Sequence, residues 1–559
     1  MNKKIKSLFI GLAFLVSSVA SIGFADNYFE ISKNLDIFAT LFRELNIYYV
    51  DDTNPGQLIE DGISGMLETL DPYTVYIPES DMEDHRFAIT GQYGGIGALI
   101  RKREGQVIVA EPYQNFPAHK AGLIAGDVIL EVDGKIIEGK NTTDVSKILK
   151  GQPGTVINIK IKRTGEGLPK EFQVTRGEIT IKSVPYYGMV NDHIGYIKLT
   201  SFTNKASEEV KEALLALKDS NELSGLVFDL RGNPGGLLRE AVNIVNLFVK
   251  KGEKIVSTKG RLSEWDKVHR AINEPVDLDI PVVCVVNSQS ASASEIVSGA
   301  IQDLDRGLVV GQRTYGKGLV QQTLKLSYNS QLKVTTAKYY IPSGRCIQAL
   351  DYSHRNSDGS VGKIPDSLIT EFSTNKGRKV YDGGGIIPDI KTETNRPSNI
   401  LIGLMNEMLI FDFATSYVSD HPEISSVGEY EFSSSDYDAF TQFLSDKDYD
   451  YVTKSEKKLE ELQKAAEKEK YFENAKPEFE ALKERISHNK EADLVTFKDE
   501  IVERLEKEII SRYYFQKGKY EYAMIHDDAI NEARELFSDT VKYQALLSIP
   551  EDSLTENPE

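Results

Sequence analysis

Strands and helices alternate over residues 179–396, and this alternation restricts the fold more than any other feature of the chain. Apolar stretches such as Leu226–Leu230 and Val282–Val286 have the length of buried strands rather than helices. Segments with helical spacing, including Ser207–Lys218 and Ala293–Asp303, lie between them. Strands that alternate with helices favour a layered α/β core. We therefore predict an α/β core at residues 179–396.

The chain has 559 residues, which leaves room for several further domains. Residues 26–86 carry apolar side chains at three- and four-residue spacing and predict an N-terminal helical unit. Residues 87–178 contain short strands, turns and a glycine cluster, and predict a separate domain. Residues 397–559 are rich in Glu, Lys, Tyr and Phe and predict a mainly helical C-terminal domain. Its apolar stripes favour packing within the domain, and association of two copies is left open.

Residues 1–25 have the composition of a signal peptide. Three lysines among the first six residues precede the apolar stretch Leu8–Val16, and Gly23–Ala25 offers small residues for cleavage. The stretch is shorter than the roughly 20 residues that cross a bilayer. A retained anchor is the alternative, because the segment stays fairly apolar up to Phe24. We expect an exported protein of the periplasm or cell envelope.

Composition excludes several classes of protein. The formal net charge of −19 argues against binding nucleic acid through its phosphates. Two cysteines, Cys284 and Cys346, exclude a disulfide-rich scaffold and a four-cysteine zinc site, and we expect no disulfide between them. Segments that begin at Gly134 and Gly311 resemble a phosphate loop but lack its Ser or Thr. We therefore expect no nucleotide, metal or other cofactor.

Serines are concentrated in Asn287–Ile296, where a buried strand passes into a helix of small residues. A hydroxyl such as that of Ser292 at a helix N-terminus suits a nucleophile that attacks a carbonyl, because the helix end favours the developing negative charge. From spacing alone, simple capping of the helix with Glu295 as partner is the better-supported interpretation.

Lys317 lies between Gly316 and Gly318 and is the candidate general base if the fold brings it to Ser292. That role requires burial to lower its pKa from about 10.4 toward 7–8. A solvated loop lysine is the simpler interpretation. If a strand begins at Gly318, Gln321 shares a face with Lys317 and is placed to orient the amine.

A third candidate segment, Asp229–Gly236, directly follows a predicted strand. Backbone N–H groups of Gly235 and Gly236 are suitable donors to an oxyanion. A tight turn into a helix explains the same glycines equally well.

Residues 87–178 resemble a PDZ domain in the order of their strands and in the phrases Ala121–Asp127 and Val132–Gly134. A glycine-rich turn before an edge strand leaves backbone N–H groups free for a peptide's terminal carboxylate. The alternative is that these glycines only form a tight turn. The resemblance implies that the tail-binding residues are Gly94, Gly95, Ile96 and Gly97.

Over residues 35–395 the chain resembles the C-terminal processing peptidases, or tail-specific proteases. The motifs that carry the resemblance keep the family's order and spacing; they include Asp71–Tyr76, Asp229–Gly236, Ser290–Ile296, Gly316–Gln322, Tyr339–Arg345 and Gly384–Asp389. The resemblance implies a core similar to the crotonase and Clp-type serine protease folds. Residues 397–559 match no part of the family with certainty.

The resemblance also implies roles for single residues. Ser292 is then the nucleophile, Lys317 the base and Gln321 the residue that orients the lysine. Asp303 occupies a position where some members have a functionally important aspartate, and a solvated charge at the helix end is the alternative. The oxyanion hole is formed by the amide of Ala293 with that of Gly235 or Gly236.

The function implied by the resemblance is an exported endopeptidase that captures C-terminal tails, apolar ones by expectation, with its PDZ domain. Family members suggest a lipoprotein adaptor and cell-wall enzymes as partners. One alternative is a PDZ scaffold or chaperone with an inactive core, which the intact Ser292, Lys317 and Gln321 disfavour. The other is a crotonase-like acyl-transfer enzyme, which the predicted export disfavours.

Overall fold

The structure, a computed structural model, describes residues 28–548 except 221, 394–395, 450 and 487–489. The predicted signal peptide lies outside the described residues. The chain divides into two units. The first contains the described residues up to Tyr76 together with Leu332–Val334, and the second contains the rest.

The predicted N-terminal helical region is present in the first unit. It contains α1 (residues 28–48) and α2 (Pro55–Glu68), followed by the short strand β1 (Val75–Ile77) at the boundary of the two units. The Asn54 side chain caps α2 by accepting a hydrogen bond from the amide of Gln57 (3.2 Å). The apolar stripe of α1 remains largely uncovered, since Ile31 is 54% and Leu35 is 64% exposed.

A six-stranded antiparallel sheet forms the PDZ domain, with β3 at one edge. Helix α5 packs beside this edge strand. Buried Val, Ile and Leu side chains, among them Val107, Ile129 and Ile159, fill the domain's own core. The elements are α3 (Met82–Thr90), β2 (Gln92–Gly95), β3 (Ala98–Arg103), β4 (Gln106–Pro112), α4 (Pro117–Ala121), β5 (Val128–Val132), β6 (Lys135–Ile136), α5 (Thr142–Leu149), β7 (Val156–Lys162), β8 (Lys170–Thr175) and β9 (Gly177–Thr180).

The α/β core is built on a six-stranded sheet in the order β10-β11-β12-β15-β16-β23, parallel except for β10. A second sheet, in which β18 pairs with β13 and β17, lies in the same core. The first half of the core contains β10 (Tyr186–Asn191), β11 (Ile194–Lys198), α6 (Ala206–Ser220), β12 (Gly225–Asp229), α7 (Leu238–Asn246), β13 (Lys254–Gly260), β14 (Lys267–Arg270), β15 (Val282–Val286) and α8 (Ala293–Asp303). The second half contains β16 (Leu308–Gly311), β17 (Leu319–Lys325), β18 (Gln331–Tyr340), β19 (Leu350–Arg355), β20 (Val361–Lys363), β21 (Glu371–Ser373), β22 (Lys379–Tyr381) and β23 (Ile390–Lys391).

Successive residues of the parallel strands face opposite sides of the sheet, and both faces are covered. Phe228 and Cys284 face α6, α7 and α8, which supply one apolar layer. Val227 and Val283 face the other way, onto the last helices of the chain. Covering of both faces explains why these strands read as continuous apolar runs.

Nine helices of the described chain follow the core sheet: α9 (Asn399–Asn406), α10 (Leu409–Asp420), α11 (Ser434–Phe443), α12 (Lys454–Lys468), α13 (Phe472–Ile486), α14 (Lys490–Thr496), α15 (Lys498–His526), α16 (Asp528–Ser538) and α17 (Thr540–Leu546). Helices α9, α10, α11 and α15 enclose a separate apolar core. Within the described ranges no single helix is long and apolar enough to cross a bilayer, although the bent pair α9–α10 passes a test of length and composition.

Helices α16 and α17 do not belong to that separate core but cover the core sheet. Ile530, Ala533 and Leu536 are buried against its second face. Phe537 lies so close to Gly225 that a Cβ atom there would approach its ring to 2.6 Å. The sequence favoured packing of these apolar stripes within the C-terminal helical domain, whereas those of α16 and α17 cover the core sheet.

The C-terminal helices also hold the PDZ domain. Phe411 of α10 is buried in a cluster with Ile108 and Ala125 of the PDZ domain. Arg103 pairs with Asp412 at 2.5 Å around this cluster. This apolar contact and the ion pair next to it hold the PDZ domain on the C-terminal helices.

Candidate active site

Ser292 occupies the junction between β15 and α8 in a conformation that is rare for a side-chain-bearing residue. Its φ is +56° and its ψ is −111°. Strained conformations of this kind cluster at functional sites, where the surrounding structure holds them in place. Helix α8 is buried along its whole length, so its N-terminus is rigidly held in the core. The half-buried Ser292 hydroxyl therefore sits at the positive end of a fixed helix.

The carboxylate of Glu295 collects four hydrogen bonds from two separate segments. Its Oε2 accepts from the amides of Ser292 (2.8 Å) and Lys317 (2.9 Å). Its Oε1 accepts from the Thr314 hydroxyl (2.5 Å) and the amide of Gly316 (2.7 Å). One buried side chain thus joins the serine segment to the lysine segment.

Sequence reasoning saw Glu295 only as a capping partner of the serines. The contact with the Ser292 amide is of that kind, but the contacts with residues 314–317 depend on the fold. Complete burial raises the pKa of Glu295 to about 7, and its four hydrogen bonds oppose this rise by favouring the ionised form.

Close packing explains the glycines on either side of Lys317. A Cβ atom at Gly316, where φ is +87°, would lie 2.4 Å from the Cβ of Ala349. One at Gly318 would lie 2.8 Å from the amide of Gln348. The carbonyl of Gly316 accepts from Ala349 (2.9 Å), and the amide of Gly318 donates to the Gln348 side chain (2.8 Å). Lys317 is half-buried on a loop held tightly at both ends.

Gln321 lies on β17, two residues after the strand begins at Leu319. Its Nε2 donates to the hydroxyl of Thr335 on the neighbouring β18 (3.1 Å). This bond directs the amide nitrogen of Gln321 toward β18, so that its carbonyl oxygen, Oε1, is the atom that can accept a hydrogen bond from another group.

The turn after β12 packs directly against the serine. A Cβ atom at Gly235 would lie 2.9 Å from both the amide nitrogen of Ala293 and the Cβ of Ser292. The amide of Gly235 donates to the Asn233 side chain (2.9 Å), so it is unavailable to a substrate. This narrows the predicted pair of glycine donors to Gly236. The bonds of the local bridge run from Phe202 to Gly235 and from Leu237 to Phe202, and they leave out the Gly236 amide.

A buried ionic network holds the start of this turn, which sequence reasoning missed. Asp229 accepts from Lys198 (2.9 Å), Tyr196 (2.8 Å) and Arg231 (2.7 Å). Although burial opposes ionisation, Arg231 and Lys198 hold the pKa of Asp229 well below its usual range. Arg231 also pairs with Asp527, the residue between α15 and α16 (2.6 Å).

Asp303 is buried, and the interpretation as a solvated charge at the helix end is wrong. It pairs with the fully buried Arg345 at 2.8 Å and accepts from the amide of Ser343 (3.0 Å). At the far end of α8, it lies roughly 16 Å along the helix from Ser292. It therefore fixes the chain segment that leads to Gln348, which in turn holds the loop of Lys317.

The predicted tail-binding residues divide into two groups. Gly94 and Gly95 lie in β2, which pairs with β9, and the Gly94 carbonyl accepts from Gly151 (3.0 Å). The side chain of Ile96 is buried in the PDZ core, so only its backbone groups are placed for the predicted contact with a peptide. Gly97, whose φ is +72°, packs so closely against Phe116 that a side chain at this position would collide with it. The carbonyls of Ile96 and Gly97 accept from the amides of Ala118 (2.8 Å) and Tyr113 (2.9 Å), so the amides of these two residues are the candidates for contact with a peptide.

The arrangement is suited to acyl transfer: a strained serine at a helix N-terminus, a lysine whose amide is bonded to the same carboxylate as the serine amide, and a glycine turn packed against the serine. Among the residues described, no cluster of three or more His, Cys, Asp or Glu side chains is placed to hold a metal ion. The fold and this site define a serine protease core that carries a PDZ domain.

Comparison with known proteins places the chain in a family. The model of peptidase family S41 matches residues 193–353, a PDZ domain model matches 108–163, and the model "Probable PDZ-protease, C-terminal helical domain" matches 400–537. The chain belongs to peptidase family S41, among the carboxy-terminal-processing serine proteases. The C-terminal helical domain model, which matches residues 400–537, classifies the C-terminal segment that the sequence alone left unassigned.

Three relatives illustrate the similarity. A carboxy-terminal-processing protease of Bartonella bacilliformis is 38% identical over 61% of this chain and 76% of its own. A protein of Staphylococcus haemolyticus named "Probable CtpA-like serine protease" is 31% identical over 82% of this chain and 93% of its own. The solved photosystem II D1 C-terminal processing protease is 27% identical, with 64% of this chain and 92% of that chain covered and a TM-score of 0.35.

Proposed function

We propose that this protein is an exported endopeptidase that binds the C-terminal tails of its substrates through the PDZ domain and cleaves peptide bonds with a Ser292–Lys317 dyad. The observation that carries the proposal is the Glu295 carboxylate, whose Oε2 accepts from the amides of both residues. Convergence on one buried oxygen atom gives the backbone of the two residues a common anchor.

In the proposed reaction, the uncharged amine of Lys317 takes the proton from the Ser292 hydroxyl as its oxygen attacks the carbonyl carbon of the scissile bond. The resulting lysine ammonium gives that proton to the leaving amine when the C–N bond breaks. Water then attacks the acyl-enzyme and gives a proton to the same lysine, which returns it to the Ser292 oxygen as the ester bond breaks and the new carboxyl group is released. Gln321 orients the lysine by accepting from its amine through Oε1.

The proposed oxyanion hole consists of the amides of Ala293 and Gly236. Ala293 is the first residue of α8, where a backbone N–H has no partner within the helix. Gly235 allows this geometry because any side chain there would collide with the Ala293 amide. Fixed donors of this kind stabilise the negative charge of the tetrahedral intermediate without reorganisation.

The PDZ domain is proposed to capture apolar tails. Its edge strand β3 lies next to α5, which is the arrangement that admits an added peptide strand. Ala98, Ile100 and Ile148 are partly buried apolar side chains on these two elements. They favour an apolar side chain at the end of the tail.

Export by residues 1–25 makes envelope proteins the expected substrates, with a lipoprotein adaptor, cell-wall enzymes and a second copy of the chain as further proposed partners. Protease protection tests the location: the protein should resist added protease in intact cells and become sensitive when the outer envelope is opened. N-terminal sequencing of the purified protein distinguishes cleavage after Ala25 from a retained anchor.

The dyad is tested with an unfolded reporter protein that carries an apolar C-terminal tail, and with a copy that carries a charged tail. We expect the purified full chain to cleave the apolar-tailed reporter faster. Ser292→Ala and Lys317→Ala should each abolish cleavage. Lys325→Ala, which changes an exposed lysine of the same region, is the matched control and should behave as the unmodified protein.

Cleavage by Ser292→Ala or Lys317→Ala at the unmodified rate would refute the dyad. Equal cleavage of both reporters would refute the reading of apolar tails. If the full chain binds the tail and never cleaves, the scaffold function gains support, whereas hydrolysis of an acyl thioester in preference to the peptide would favour the acyl-transfer alternative.

A further inference from the structure

We propose that Asp527, contributed by the C-terminal helical segment, is a positioning residue for the oxyanion turn and acts through Arg231. The inference rests on the proposed function, because it concerns the turn that presents Gly236 to the carbonyl attacked by Ser292. It gives the C-terminal segment a part in the reaction in addition to its structural roles.

The guanidinium of Arg231 is held between two carboxylates from distant parts of the chain. Its Nη2 donates to Asp229 (2.7 Å), and its Nη1 donates to Asp527 (2.6 Å). The Arg231 and Asp527 side chains are only 21% and 24% exposed. Water therefore screens this pair less than it screens a typical surface ion pair.

Arg231 belongs to the turn itself, so a contact that holds its side chain also holds the backbone of the turn. Its amide donates to Asp229 (2.9 Å) and its carbonyl accepts from Lys198 (2.7 Å). The next amide, that of Gly232, donates to the Asn287 side chain (3.0 Å). The path of the turn from Arg231 toward Gly236 thus starts from a residue that Asp527 holds in place.

Further along, the turn is bonded directly to the serine segment. The carbonyl of Asn233 accepts from the amide of Ala291 (3.0 Å) and the hydroxyl of Ser294 (2.9 Å). A shift of the turn at Arg231 would therefore move the Gly236 amide relative to Ser292. Even a small displacement of the Gly236 amide matters, because an oxyanion donor acts only at close range.

Asp527 is itself fixed to the core sheet. Its Oδ1 caps α16 by accepting from the amides of Ala529 (3.0 Å) and Ile530 (3.2 Å). Helix α16 is buried against the sheet through Ile530 and Leu536. The Asp527 carboxylate is therefore held by a helix that packs on the core sheet, and β12 of that sheet leads into the oxyanion turn.

The simpler interpretation is that Asp527 only caps its helix. The two roles use different oxygen atoms, since Oδ1 caps α16 and Oδ2 binds Arg231. Asp527→Ser separates them, because serine caps a helix as well as aspartate but is too short and uncharged to replace the ion pair. Asp539→Ser is the matched control: Asp539 caps α17 through the amide of Lys542 (2.9 Å).

The experiment measures kcat and KM on the apolar-tailed reporter, together with the urea midpoint, for the full chain and its variants. We expect Asp527→Ser to lower kcat at least tenfold with KM unchanged and only a modest fall in the urea midpoint, and Asp539→Ser to leave all three unchanged. Loss of a complete oxyanion donor costs about 10²–10³ in kcat, so a displaced donor should cost less. Arg231→Met should lower kcat as well, and adding Asp527→Ser to it should cause no further loss.

An unchanged kcat in Asp527→Ser would overturn the inference, as would a loss that multiplies with that of Arg231→Met. A fall in the urea midpoint large enough to leave part of the protein unfolded in the assay and so account for the lost activity, or a change confined to KM, would also overturn it in favour of a purely structural role. These outcomes are distinct from failure of the proposed function, which appears as unmodified cleavage by Ser292→Ala whatever Asp527 does.

Discussion

Asparagine at position 303 is expected to destabilise the core strongly. Asp303 and Arg345 are both essentially fully buried and pair at 2.8 Å. Asparagine keeps the shape of aspartate but removes its charge, and leaves the guanidinium with the neutral oxygens of Gln302 and Tyr381. Breaking one side of a buried ion pair costs about 3–5 kcal/mol, because the remaining charge is uncompensated. That is a large part of the roughly 5–15 kcal/mol that stabilises a domain.

Urea unfolding followed by the fluorescence of Trp265, the single tryptophan, measures this loss in the core. Glu460→Gln breaks an exposed ion pair with Lys464 and is the control, for which we expect no measurable change. Asp303→Leu combined with Arg345→Met should recover much of the stability, because the two charges are removed together.

A loss below about 1 kcal/mol in Asp303→Asn would refute the reasoning, since such a value is typical of a screened pair. A double variant as unstable as the two single variants combined would refute it too. Since the Asp303 segment leads to Gln348, which holds the loop of Lys317, we also expect a lower kcat in Asp303→Asn at urea-free conditions.

Three further predictions concern the loop, the sheet and pH. Gly316→Ala should cost about 1–3 kcal/mol and lower kcat, because the new Cβ would meet that of Ala349 at 2.4 Å; an unchanged urea midpoint would contradict this. Phe537→Ala should cost about 3–5 kcal/mol in the unfolding of the core followed by tryptophan fluorescence, whereas an independent C-terminal domain would leave that transition unmoved. The raised pKa of Glu295 means that the folded protein keeps a proton between pH 4.5 and about 7 that the unfolded chain has released. The contribution of Glu295 to the free energy of unfolding should therefore fall as pH rises through this window, by up to about 1.4 kcal/mol per pH unit, and urea titrations of Glu295→Gln should lack this slope.

Sequence reasoning succeeded where local pattern and local chemistry agree. The strands Val282–Val286 and Leu226–Leu230 and the helix Ala293–Asp303 were predicted within one residue at each end. Burial on both faces makes such strands continuously apolar, which distinguishes them from the amphipathic helices between them. The PDZ domain was recognisable for a related reason, since its turn glycines mark the ends of its strands.

Sequence reasoning failed where one residue serves two distant segments. The local pattern explained Glu295 as a cap, but nothing local showed that the same carboxylate reaches Lys317. Asp303 was open to interpretation as a solvated charge because its partner, Arg345, is remote in sequence. Gly235 and Gly236 were equivalent as oxyanion donors until the Asn233 side chain was found to occupy one of their amides.

The sequence by itself determined which segments are strands and helices, which glycines permit close turns, and which residues can act as nucleophile and base, because these depend on side-chain type and short-range spacing. The tertiary structure alone decided that Ser292 and Lys317 share the carboxylate of Glu295, and that α16 and α17 cover the core sheet rather than the C-terminal helices. An apolar stripe shows that a helix is buried but does not show which element covers it. A carboxylate shows which groups it can bind but does not show where in the chain those groups lie. Those choices depend on the packing of the whole chain.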